Sequence, residues 1–196
     1  MNKMVISVAT AATIMLGSAA GAVTVATGGT AVGDGFGITP QSGVSVASNN
    51  AAYSSEVTTP TSAWVWAGDI NNTNSNVYTF SFDLTGYDVS TAVLSGKWGI
   101  DNIGSVLLNG NLLASLPLTI TANFNTLHDY GTSVDAYFNS GLNTLVFDVA
   151  DDGGAAAFRA TAIVEAAAIP LPAAATLLLA GLGGLAAVGR RRKSRG

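Results

Sequence analysis

Residues 77–84 read "VYTFSFDL". Tyr78, Phe80, Phe82 and Leu84 alternate with Val77, Thr79, Ser81 and Asp83, so a strand here carries one aromatic face and one mixed face. An aromatic row on one side of a sheet must be covered by other apolar surface. The flanking sequence supplies more of the same pattern. "AVLSGKWGI" at 92–100 places Leu94, Trp98 and Ile100 on one side, and "LTITANF" at 118–124 sets Leu118, Ile120 and Phe124 opposite Thr119, Thr121 and Asn123. "AFRATAIVEA" at 157–166 repeats the alternation with Phe158, Ala160, Ala162 and Val164.

Turn signals separate these runs. "VLLNGNLL" at 106–113 holds Asn109-Gly110 between two apolar triplets, a pair that tolerates positive φ and favours a type I′ hairpin. "SGLNTLVFDVADDGG" at 140–154 reads as a turn, a strand through Leu145, Phe147 and Val149, and a second turn. Between Val23 and Glu165 no segment sustains a helical period. These features predict an all-β body, an antiparallel β-sandwich in which two sheets cover each other's apolar faces. Residues 24–55, rich in Gly, Ser, Ala, Thr and Asn, are expected to add only short strands.

Charge is unevenly distributed. All twelve acidic residues lie between Asp34 and Glu165, whereas only Lys97 and Arg159 of the eight basic ones do, so residues 23–168 carry two positive and twelve negative charges, or −10. Such a body repels polyanions, which excludes nucleic acid as an expected partner. There is no cysteine, hence no disulfide, and roughly 145 residues must build a core by packing alone.

The two ends differ from the body. "MNKMVISVATAATIMLGSAAGAVTV" has a basic start at Lys3, an apolar run from Met4 to Leu16 and small residues before Ala22, the layout of a secretory signal peptide over residues 1–22. Cleavage is expected before Val23, with a cut after Ala20 as the alternative. The far end, "IPLPAAATLLLAGLGGLAAVGRRRKSRG" at 169–196, holds an uncharged run followed by Arg190, Arg191, Arg192, Lys193 and Arg195. Pro170 and Pro172 keep Ile169 and Leu171 extended, so a transmembrane helix is expected over roughly residues 173–189, near the lower length limit for a span. The basic cluster at 190–195 would hold its end on the cytoplasmic side of the inner membrane.

Signal peptide, proline-containing motif, small-residue span and terminal Arg cluster together resemble the PEP-CTERM class of exported bacterial proteins. Ile169-Pro170-Leu171-Pro172-Ala173 is similar to the VPLPA-CTERM variant, with Ile for Val at the first position. The resemblance implies a sorting signal, transient anchoring in the inner membrane, and cutting near the motif by an exosortase that passes the body to the cell surface or exopolysaccharide matrix. The body is in turn similar to galactose-binding-like jelly-roll modules at Phe82, Leu84, Trp98, Asp101, Asn102, Asn109, Gly110, Gly141, Asn143, Leu145 and Phe147. These positions read as core, turns and strand ends.

Nothing assembles a catalytic set. His128 is the only histidine, no serine sits in a G-x-S-x-G elbow, and "LHDYG" places His128 in a polar turn, so the chain is not expected to be an enzyme. Two binding features remain. In "WVWAGD" Trp64 and Trp66 share a face if the strand is regular; exposed, they form a platform for a sugar ring, and otherwise they belong to the core. Asp69, Asp101, Asp151 and Asp152 fall in turn-like places, where carboxylates suit calcium or are simply solvated. The sequence thus predicts an exported surface or matrix protein with a structural or adhesive role in exopolysaccharide. A lectin-like module that binds a cell-surface glycan is the alternative, and a secreted polysaccharide hydrolase the third reading.

Overall fold

The structure, a computed structural model, describes residues 21–31, 37–38, 44–46, 51–71, 74–118 and 122–170. The predicted signal peptide up to Ala20, and the tail from Leu171 onward with its helix and basic cluster, lie outside the described residues. Among those described, no helix is long and apolar enough to cross a membrane.

The chain runs through β1 (Ala22–Gly29), β2 (Val44–Val46), β3 (Val65–Ala67), β4 (Ser75–Asp83), β5 (Tyr87–Asp101), β6 (Ile103–Leu108) and β7 (Asn111–Leu116). A four-residue helix α1 (Ala122–Asn125), then β8 (His128–Thr132), β9 (Leu142–Ala150) and β10 (Ala157–Ala168) complete it. β10 is the centre of a six-stranded sheet: β5 and then β8 lie on one side, while β1 and β3 share its other edge and β2 extends β3. The second sheet has the order β4-β9-β6-β7. All these strand pairings are antiparallel, as the alternation predicts.

The aromatic face of β4 is the inner face. Tyr78, Phe80, Phe82 and Leu84 are buried together with Leu145, Phe147 and Val149 of β9 and with Leu94, Trp98, Ile100, Phe158 and Ala160 from the opposing sheet. Rings meet across the gap: Phe147 lies 5.1 Å from Phe158 and 5.6 Å from Tyr130, and Tyr78 4.5 Å from Phe158. The hairpin is where its two residues require it, with φ of 49° at Asn109 and 85° at Gly110 joining β6 to β7.

Three expectations need correction. Residues 122–125 are helical rather than extended: β7 ends at Leu116, Pro117 cannot continue its ladder, and α1 turns Phe124 into a small cluster while Leu118 stays exposed. His128 is not in a turn but opens β8 opposite Trp98. The first part of the chain is not limited to very short strands, since β1 is eight residues long and pairs with β10 along most of its length.

Candidate functional site

Trp64 and Trp66 do not form a platform. Trp66 has no exposed surface; it sits in the main core and its indole N–H donates to Asn74 Oδ1 at 2.7 Å. Trp64, 9% exposed, precedes β3 and belongs to a separate cluster, stacked on Tyr53 at 4.9 Å and donating to the Ser54 carbonyl. The shared face fails because the regular strand begins only at Val65.

Three of the four singled-out aspartates meet at one end of the sandwich, where the chain leaves β5 for β6 in the other sheet. Asp152 N–H donates to Asn102 Oδ1 at 2.8 Å, Asp151 N–H to the Asn74 carbonyl, and Tyr53 O–H to Asp101 Oδ2 at 2.9 Å. Burial pushes the Asp101 carboxyl above its usual range, and the charge of Asp151 adds to this. Asp151 is likewise raised by its burial. Tyr53 Oη also lies 3.1 Å from the Ala155 carbonyl. One hydroxyl hydrogen is thus shared between the Asp101 carboxylate and the Ala155 carbonyl. Asp151 Oδ2 accepts from Gly153 N–H, whereas its buried Oδ1 has no hydrogen-bond partner among the described residues. Asp69 occupies an exposed turn of its own, accepting from Asn71 N–H at 2.9 Å. Among the described residues no three histidine or acidic side chains converge as a metal cage.

A different site emerges on the outer face of the six-stranded sheet. A groove of about 340 Å³ is floored by Ser95, Gly96 and Lys97 of β5 and Thr161 and Ile163 of β10, and bordered by Val57, Thr58 and Thr59 on one side and by β8 at Asp129 and Tyr130 on the other, the Tyr130 ring itself being turned inward onto Phe147. Lys97 Nζ is 3.0 Å from Asp129 Oδ1 and 3.2 Å from Glu56 Oε1. Its hydrogen bonds to Asp129 and then Glu56 push the ammonium pKa up.

The floor is held from its inner side, and the wall from below. Tyr130 lies across Gly96 and donates to the Thr161 carbonyl at 2.6 Å; a Cβ on Gly96 would fall 2.6 Å from the Tyr130 ring and 2.1 Å from that carbonyl. Lys97 N–H donates instead to Thr161 Oγ1, so the ladder opens locally around the groove. The wall hangs on buried Arg159. Its Nε donates to Ser62 Oγ (2.9 Å), Nη1 to the Ser54 carbonyl (3.1 Å), and Nη2 to the Glu56 carbonyl (2.7 Å) and Thr58 Oγ1 (3.4 Å). Burial lowers the guanidinium pKa and the Glu56 charge opposes that shift. A second depression, about 330 Å³, on the other sheet includes Ile103, Ser105, Ser115 and Asp148 and offers a single charged group.

The sequence pointed to none of Glu56, Lys97, Asp129 or Arg159. One signal was present: Lys97 and Arg159 are the only basic residues of the body. Fixed donors and acceptors beside apolar Val57 and Ile163, open to solvent, suit recognition of a hydroxyl-rich ligand.

No protein-family model and no curated protein matches the chain. Among solved structures it is similar to a family 35 carbohydrate binding module from an environmental isolate, with a TM-score of 0.39, 14% identity, and 68% of this chain and 93% of that chain covered. The class defined by the described residues is an antiparallel β-sandwich.

Proposed function

We propose that this chain is an exported protein, trimmed by an exosortase-type protease and passed to the cell surface or matrix, where its β-sandwich holds exopolysaccharide in the groove around Lys97. The observation that carries this is the pinned Lys97 between Glu56 and Asp129 in an open groove whose wall is tied down by Arg159. Preorganised polar groups bind without an ordering cost that flexible ones would incur. The processing part is supported by the end of the body: β10 stops at Ala168, and Ile169 N–H donates to the Gly86 carbonyl as the last such bond before Pro170. The sheet therefore ends where the proline motif begins.

Protein recovered from the producing cell tests both parts. Its mass should correspond to a start near Val23 and an end close to Pro172, without Arg190–Arg195; recovery from the surface through Gly196 would make the tail a permanent anchor. The same protein should be retained on its own matrix polysaccharide. Lys97→Ala or Asp129→Ala should weaken that retention about tenfold or more, the scale of one lost charged hydrogen bond, with little change in melting temperature. Retention unchanged in both variants would remove the groove from the function.

We further propose that calcium engages the Asp101, Asp151 and Asp152 end, where Asp151 Oδ1 is buried and without a hydrogen-bond partner among the described residues. Millimolar calcium should then raise the melting temperature, EDTA should reverse the rise, and Asp151→Asn should flatten it. A wild-type protein indifferent to calcium would dispose of the site.

A further inference from the structure

Resting on the glycan-binding reading above, we infer that the groove selects uncharged sugars and turns away uronates and sulfated glycans. An anionic sugar needs an unpaired cation, and the body has none to offer. Its two basic side chains are both engaged: Lys97 sits between two carboxylates, and Arg159 spends its fork on Ser54, Glu56, Thr58 and Ser62 beneath the wall. Lys97, Glu56 and Asp129 together leave one negative charge facing the groove, with Arg159 balancing it only from beneath the wall, on a body that carries −10. A carboxylate or sulfate entering beside Lys97 would meet Glu56 and Asp129 at close range, and like charges so placed cost rather than contribute.

A sugar ammonium fares no better. It would have to displace Lys97 from the same two carboxylates and remain beside it, exchanging one ion pair for another while adding a like-charge contact. Uncharged hydroxyls avoid both penalties. Each carboxylate meets Lys97 through one oxygen, Glu56 Oε1 and Asp129 Oδ1, and a carboxylate carries a second oxygen able to accept from a ligand. Two carboxylates flanking a donor make a pattern that neighbouring hydroxyls of a pyranose satisfy, and hydrogen bonds to charged groups are the stronger kind. Val57, which is almost fully exposed, and Ile163 add apolar surface for the C–H face of the ring.

Electrophoresis of the mature protein through gels containing dextran, galactomannan, polygalacturonate or partially deacetylated chitin, all in EDTA to exclude bridging cations, tests this. Retardation is expected with at least one neutral polymer at a Kd tenfold or more below that for polygalacturonate. Asp129→Ala, a change at a side chain 83% exposed and so harmless to the fold, should weaken that binding about tenfold or more. Polygalacturonate or the aminoglycan binding as tightly as the neutral polymers, with salt present to screen the body's charge, would overturn the selectivity while leaving glycan binding in place. Retardation by no polysaccharide would overturn the glycan-binding reading and this inference with it.

Discussion

Trp66→Ala is expected to destabilise the body by about 3–5 kcal/mol, the range for a fully buried aromatic side chain. For a domain of this size that is a fall of roughly 6–20 °C in melting temperature. The cost has two sources. Removing the indole leaves a cavity in the main core, beside the aromatic rows of both sheets, and it deprives Asn74 Oδ1 of its donor. Trp64→Ala should cost less, because Trp64 lies at the edge of the small cluster, where solvent can enter; its loss would loosen Tyr53 and Ser54. Denaturant titration of the two variants separates them. If either variant kept wild-type stability but lost polysaccharide retention, that Trp would be acting as a surface platform after all.

How far the fold could be read from the residues depended on whether a pattern was local. Alternation in "VYTFSFDL" settles which face of β4 is buried whatever its neighbours, and Asn109-Gly110 sets its own turn by backbone preference. The same is true of Leu145, Phe147 and Val149 in β9 and of the apolar face of β10. Trp64 and Trp66 are two apart, yet their faces depend on where β3 begins, and that is fixed by pairing with β2 and β10 far away in sequence. In "LTITANF" the alternation was real but short, and helix α1 prevails there because Phe124 is needed over Trp64 and Tyr53.

The candidate groove was hidden for a related reason. Glu56, Lys97, Asp129 and Thr161 come from a loop and three strands, and no spacing along the chain connects them. The Asp101–Asp151–Asp152 end was half visible: clustering of aspartates in turns was apparent, but the burial of Asp101 and Asp151, and the separate place of Asp69, follow from the crossing between sheets.

Arg159 ties fold to function, and its replacement should affect both. A lone Arg in "AFRATAIVEA" lies on the outer face of β10, opposite Gly99, where water would ordinarily hydrate it. Here the segment from Ser54 to Ser62 folds over it and supplies carbonyl and hydroxyl oxygens to the guanidinium fork. Arg159→Ala leaves the Glu56 carbonyl without its donor, while the Ser54 carbonyl keeps Trp64 and Thr58 keeps Ser62, so the cost should be about 2–4 kcal/mol rather than total unfolding. Glu56 would then no longer be held toward Lys97, and the wall of Val57, Thr58 and Thr59 would lose its anchor. Polysaccharide retention should therefore fall more than the loss of stability explains, at temperatures where the variant is still fully folded. Arg159→Lys separates charge from geometry: it keeps the cation but replaces a planar fork with a single point donor, and it should recover part of the stability without recovering retention. Full retention by folded Arg159→Ala would show that the wall plays no part in binding, and that Lys97 and Asp129 act without it.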